Sequence, residues 1–228
     1  MSANQFRTTP RKLVIFLDLS MGDSIYGIGG MGATSGKLRI NIGCGATPTP
    51  GWLNFDSSLT VRLAKLPGLM KPLQAAGAVV GEQVRSAAVV REYGIRWANA
   101  ARRIPVPDDS VEVLYSSHML EHLDPENEVS RFLGEVRRVL VPSGILRLVV
   151  PDLYRRAQRY LAEPRDADEF VKSLHMTNGT PRGILALARH LVVGFRDHRW
   201  MWDAKSLIRL LGVCRNENVD QRRINDIQ

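Results

Sequence analysis

From Leu38 onward, apolar residues fall in short β-branched runs that alternate with segments of helical spacing. Five runs read as strands: Leu38 to Ile42, Trp52 to Phe55, Ile95 to Ala98, Val111 to Tyr115 and Ile145 to Val150. Between the last two, Val129, Phe132, Leu133, Val136, Val139 and Leu140 recur at helical intervals, and Pro142, Ser143 and Gly144 follow as a stop. Further helices are expected near 153–162, 166–176 and 182–193, and from Asp203 to Leu211. Strand, loop and helix repeating in this order predict an α/β fold, a doubly wound, mostly parallel sheet with helices on its faces.

Residues 1–37 follow a different pattern. Arg7, Arg11 and Lys12 precede a short apolar run, and six glycines then fall between Gly22 and Gly36. The run is too short and carries Asp18, so a secretory signal is not the reading. We expect a flexible or optional leader over 1–37, with Met21 and Met31 as later starts, and a single domain over 38–228. The longest apolar stretches, Leu13 to Leu17 and Ile145 to Val150, fall short of the roughly 18 residues a membrane helix needs. With 44% hydrophobic and 24% charged residues, the chain is neither collagen-like nor wholly disordered. Two cysteines, Cys44 and Cys214, argue for a reducing, cytoplasmic setting rather than a disulfide framework.

Charge adds a feature that the pattern alone misses. The net charge of +8 is clustered: residues 58–103 hold eight Lys and Arg against Glu82 and Glu92, whereas 104–150 are net acidic. Residues 58–93 therefore read as a basic helical insertion between the second and third strands. Within it Val61, Leu63, Leu66, Leu69, Met70 and Leu73 are interleaved with Arg62, Lys65 and Lys71. That mixture suits peripheral contact with an anionic membrane surface through 58–73, or a phosphorylated substrate, or simply a solvated cap over an active site.

Three glycine patterns compete for a ligand. Gly27, Gly29 and Gly32 spell GxGxxG but neither leave a strand directly nor open a helix, so no pyrophosphate would meet a helix N-terminus there. GATSGK, ending at Lys37, is one residue short of a phosphate loop, and Leu38 stands where a magnesium-binding hydroxyl belongs. INIGCG, residues 40–45, has the right surroundings. A strand runs directly into Gly43 and Gly45, where a ligand can approach the backbone, and Asp56 ends the next strand with a carboxylate able to accept two ribose hydroxyls.

INIGCG, Asp56 and the stretch IPVPDDSVEVLYSSHMLEHLDPENEVSRFLGEVRRVLVPSGILRLVVPDL, residues 104–152, together resemble the class I S-adenosylmethionine-dependent methyltransferases, nearest to their type 11 methyltransferase-domain group. The resemblance runs over roughly 38–211 and implies a Rossmann-like fold with S-adenosyl-L-methionine as cofactor. It implies that Gly43, Cys44 and Gly45 lie against the methionine and ribose part, that Asp56 holds the ribose, and that Ser116 and Ser117 line the methionine end. Asn99 and Ala100 stand where the group usually has an acid and a small residue against adenine. Asn41 stands where an acid commonly meets the cofactor's ammonium. Two departures are visible. Asp56 comes eleven positions after Gly45, with Pro48 and Pro50 between, which leaves no room for a full helix. Only sixteen residues follow Gly212, so the group's final pair of antiparallel strands is expected to be incomplete.

His118, Glu121 and His122 also spell HxxEH, a zinc-peptidase signature. A third protein ligand would be needed, and the methyltransferase pattern accounts for the block without metal, so no metal is expected. The chemistry implied by the resemblance is in-line displacement at an activated methyl, with His118 as general base for a hydroxyl acceptor. His198 opens HRWMW and is expected to enter the substrate cavity, while Trp200 and Trp202 read as core anchors. The acceptor reads as a small-molecule, sugar or lipid-linked compound. Two rival readings are a nucleic-acid methyltransferase or binder stacking bases on Trp200 and Trp202, and a non-catalytic protein that keeps the cofactor fold.

Overall fold

The structure, a computed structural model, describes residues 14–20, 37–77, 79, 81–163, 166–176 and 197–213. Six strands form one sheet: β1 (Val14–Ser20), β2 (Leu38–Ile42), β3 (Leu53–Asp56), β4 (Arg96–Trp97), β5 (Val111–Ser117) and β6 (Leu140–Pro151). Their spatial order is β1-β6-β5-β2-β3-β4, and every neighbouring pair is parallel. This is the doubly wound, Rossmann-like arrangement expected from the sequence. From β2 the chain moves outward through β3 and β4, then returns to lay β5 on the other side of β2. The strand order thus reverses between β2 and β5, and ligands of open α/β sheets bind at the carboxyl ends of the strands flanking such a switch. Ile42 and Ser116 are paired partners near those two ends.

Around the sheet lie α1 (Leu59–Ala64), α2 (Pro67–Ala75), α3 (Gly81–Glu92), α4 (Glu128–Val139), α5 (Leu153–Ala162), α6 (Ala167–Ser173) and α7 (Ala204–Val213). Helix α4 buries Val129, Phe132, Leu133, Val136 and Val139, the stripe its spacing predicts, against Ile40, Leu114, Leu146 and Leu148 of the sheet. Leu207 and Leu211 of α7 join the same core. Helices α1 to α3, the basic insertion, build a second, smaller core from Val61, Ala64, Met70, Ala87 and Val90. Helices α5 and α6 begin at Asp152 and Asp166, whose side chains accept from the backbone N–H groups of Tyr154 and Glu169. At α7, Asp203 and Ser206 cap each other's backbone N–H in a reciprocal box.

Three expectations change. Residues 14–20, assigned to the leader, form an edge strand in register with β6 from Val14 opposite Ile145 to Ser20 opposite Pro151. Pro142, Ser143 and Gly144, read as the stop before a strand, lie inside β6 as a bulge. Val111 pairs with Leu140 and Val113 with Ile145, so extra residues on β6 loop out between two paired positions. Gly144 is required there, because a Cβ would lie 2.9 Å from the Val141 carbonyl oxygen. The third strand shrinks from Ile95–Ala98 to Arg96–Trp97, as Ile95 turns into the insertion's core. The expected helix at 182–193 and the C-terminal strand region beyond Val213 lie outside the described residues. Among the described residues, no helix is long and apolar enough to cross a membrane.

Candidate active site

After β2 the chain turns at Gly43, whose φ of 71° lies in the left-handed region. Its N–H and that of Cys44 both donate to the Phe55 carbonyl, at 2.8 and 3.2 Å, so the turn is fastened to β3. A Cβ at Gly43 would lie 2.7 Å or less from Cβ and Cγ of Met119, which follows β5, so no other residue fits between the two strand ends. Gly45 differs. Its φ is also positive, at 53°, but a Cβ there would meet nothing within 4 Å. That open space adjoins a cavity of about 1470 Å³ at the switch point. Pockets for a single drug-sized ligand run to about 1000 Å³, so this one has room for a cofactor and an acceptor together.

No helix follows the glycine turn, in keeping with Pro48 and Pro50. Two buried asparagines hold the loop instead. Asn41 donates from Nδ2 to Thr49 Oγ1 at 3.0 Å, and Asn54 accepts from the Thr49 N–H at 2.8 Å while donating to the carbonyls of Thr49 and Trp52. Asn41 is therefore a loop fastener and does not reach the cavity wall, unlike the cofactor contact expected of it. Asp56, at the end of β3, accepts from the Gly45 N–H at 3.0 Å and from the Ser58 N–H at 2.8 Å. Its carboxylate is thus aimed along the cavity floor, beside the glycine turn.

Of the other residues singled out from sequence, Gly43, Gly45, Asp56, Asn99, Ala100, His118 and His198 all reach the cavity wall. Asn99 accepts from the Ala101 N–H at 3.0 Å, which presents it at the mouth of β4. Cys44, Ser116 and Ser117 do not line the cavity. Cys44 is buried and packs with the insertion's core, its thiol donating to the Gly45 carbonyl at 3.7 Å. Burial, reinforced by the charge of Asp56, pushes its thiol up to about 12. Ser116 is buried at the end of β5, with Met119 forming the wall in its place. The sequence reading missed Glu82, Ser86 and Val90, which recur every four residues on one face of α3 and form the insertion's side of the cavity.

The far wall is rich in histidine. His118 sits immediately beyond β5 with φ of 51°, an uncommon conformation for a side chain of this size. Its Nδ1 is 3.1 Å from Oε1 of Glu121, a carboxylate with 0% exposure, so the ring donates from Nδ1 to a buried anion. His122 pairs through Nδ1 with the Asp197 carbonyl at 3.0 Å. The Arg199 and Trp200 N–H groups donate to the Glu121 carbonyl at 2.8 and 3.2 Å, which brings His198 over the same carboxylate. Burial holds the His198 imidazole below its ordinary pKa; the Glu121 charge opposes this, while His122 and His175 add to it. Trp202 is buried and Trp200 is half exposed, so HRWMW offers one core anchor and one surface ring.

The sequence profile of the methyltransferase domain family matches residues 72–148, from α2 through β6. The match spans 77 of the 228 residues, and over that stretch the chain is similar to the type 11 methyltransferase domains. S-adenosyl-L-methionine is the cofactor of that class. Among solved structures, an S-adenosylmethionine-dependent methyltransferase from Methanosarcina mazei is similar at 21% identity over 80% of this chain and 81% of that one, with a TM-score of 0.45. No curated protein matches.

Proposed function

We propose that the chain is an S-adenosylmethionine-dependent methyltransferase that methylates a hydroxyl group on a small-molecule, sugar or lipid-linked acceptor. The observation that carries this reading is that His118, paired with buried Glu121, lines the same cavity as Gly45 and Asp56. When bound, S-adenosylmethionine supplies an activated methyl group, leaving the chain to orient the acceptor and handle its proton. With Nδ1 donating to Glu121, Nε2 is the nitrogen that would take that proton as the carbon–oxygen bond forms. The hydrogen-bonding wall of His122, Asp197, His198 and Arg199 suits a polyhydroxylated acceptor better than an apolar one.

Calorimetry with S-adenosylmethionine and S-adenosylhomocysteine is the first test. Asp56→Ala should weaken binding by roughly tenfold or more, the worth of charge-assisted hydrogen bonds. No binding at millimolar cofactor would sink the reading. Incubation with methyl-labelled cofactor and cell extracts, followed by the carbon-13 shift of the transferred methyl, tests the acceptor atom. An O-methyl signal lost in His118→Ala with cofactor binding kept is the expected result, and an N- or C-methyl signal would refute it.

A lipid-linked acceptor draws support from the surface of the insertion. Leu66 and Leu69 are 55% and 43% exposed, beside exposed Lys65 and Lys71, in a helix pair that starts from the cavity rim at Leu59 and Thr60. Sedimentation with vesicles containing anionic lipid should carry the chain down, and Leu69→Asp should reduce the bound fraction. A nucleic-acid reading has less to stand on, because burial of Trp202 removes one of the two stacking platforms it needs.

A further inference from the structure

We propose that Glu121, His122 and His198 form a binding site for a divalent transition-metal ion, zinc by the chemistry of its ligands. Metal binding itself does not depend on methyl transfer; only the role of the open coordination position rests on that reading. One ligand atom from each residue lies within 4.8 Å of the others. Ligands about 2.0 to 2.2 Å from a tetrahedral zinc stand roughly 3.4 Å apart, so modest side-chain rotations would close the triangle. Two imidazoles and one carboxylate favour zinc over the all-oxygen sets that magnesium and calcium prefer.

Two further observations point to a cation. Glu121 has 0% exposure, and its Oε2 has no hydrogen-bond partner among the described residues. An ionised carboxylate buried with one oxygen unsatisfied is costly, and a metal ion is a group that satisfies it. The second is the outer arrangement of the ligands. His122 is fixed through Nδ1 to the Asp197 carbonyl, which leaves Nε2 as its ligand atom, and His118 holds Glu121 through Oε1. Such outer hydrogen bonds are how metal-binding imidazoles and carboxylates are normally oriented. Backbone bonds from Arg199 and Trp200 to Glu121, and from His198 to His175, lock the two segments together without any ion.

The geometry also explains why HxxEH misleads when read as a peptidase signature. That signature needs both histidines on one helical face, but His118 has a left-handed φ and only Leu120–His122 form a short 3-10 turn. The third ligand comes instead from His198, beyond the motif. His122 and His198 line the cavity, so an ion held by three protein ligands would keep a coordination position open toward the acceptor's place. An acceptor oxygen is the group that position would take.

The test uses the full chain, stripped with chelator and titrated with zinc by calorimetry and with cobalt(II) by visible absorption. One equivalent of zinc and an intense cobalt spectrum of low coordination number, with histidine ring protons shifted by the bound cobalt in proton NMR, are expected. His122→Ala and His198→Ala should each weaken zinc by more than about 100-fold, beyond the effect of losing an outer partner. Their unfolding midpoints in chelator report whether they remain folded, and the cobalt spectrum of the unaltered chain stands without any variant. No stoichiometric zinc at hundred-micromolar concentration, or binding that survives both substitutions, would overturn the proposal. Cofactor calorimetry in chelator keeps its failure separate from failure of the methyl-transfer reading.

Discussion

Gly43 and Gly45 share a positive φ but differ in what surrounds them, and that difference is measurable. At Gly43 an alanine would meet the left-handed penalty and Met119 together, so Gly43→Ala should destabilise the fold by more than about 2 kcal/mol. At Gly45 only the penalty of about 1 kcal/mol applies, while the new methyl enters the cofactor's space. If the cofactor occupies the space proposed for it, Gly45→Ala loses cofactor affinity while remaining nearly as stable. Urea unfolding beside cofactor calorimetry checks the pair, and equal stability losses would contradict the assignment. Cys44 gives a second prediction. With its thiol pushed up to about 12 and buried, it should resist alkylation at pH 8 in the native state and react once the chain is unfolded, read by mass mapping of its peptide. That the glycines, Asp56, Asn99 and His118 would line one cavity was legible in sequence, because strand ends and backbone turns place them directly. The places of Asn41, Cys44 and Ser116 were not, because side-chain direction depends on alternation and on what packs above. Cys44 packs into the insertion's core, and Met119 takes the wall that Ser116 was expected to form.

Among the elements, α4 was readable from its stripe alone, yet one of its functions lies on the polar side. Arg138 donates to Glu135, to Asp108 and to the carbonyls of Ile104 and Val106, while Glu135 accepts from the Ile104 N–H. This network clamps the loop before β5 against the helix. The Arg138 hydrogen bond holds Glu135 below the ordinary glutamate value of 4.5, against a smaller opposing effect of burial. A carboxylate depressed in the folded state contributes stability that is present above its unfolded pKa and is lost as pH falls through the folded value. Arg138→Met should cost about 1 kcal/mol at neutral pH, because Glu135 loses its closest partner and keeps Arg103 at 3.6 Å and the Ile104 N–H. The loss of stability on acidification below about pH 4.5 should be shallower in the variant than in the unaltered chain. Urea unfolding at pH 7 and pH 4 measures both, and parallel pH slopes would rule out the coupling. Neither this clamp nor the bulge in β6 could be read from hydrophobic periodicity. Each depends on which distant backbone groups the fold brings within reach.

On the scale of the whole molecule, the stretch that looked superfluous supplies an edge of the sheet. From sequence, residues 1–37 had no evident place in the domain. In the structure β1 lies parallel to β6 over seven residues, covering the sheet edge on that side. Its parallel direction hid it from sequence, since no short turn links it to β6 and the pairing joins opposite ends of the domain. An uncovered β6 would present a row of backbone donors and acceptors as a template for another chain. A chain truncated to 37–228, close to what a start at Met31 would produce, should therefore unfold at lower urea concentration, by more than about 2 kcal/mol. It should also associate more strongly than the full chain, seen as a concentration-dependent rise in mass by light scattering. The cavity lies at the switch between β2 and β5, with β6 standing between β5 and β1, so affinity for S-adenosylhomocysteine should survive the truncation wherever the fold does. A truncated chain of unchanged mass and unchanged unfolding midpoint would mean that β1 is dispensable, and that β6 protects its own edge by its bulge and by Pro142 and Pro151.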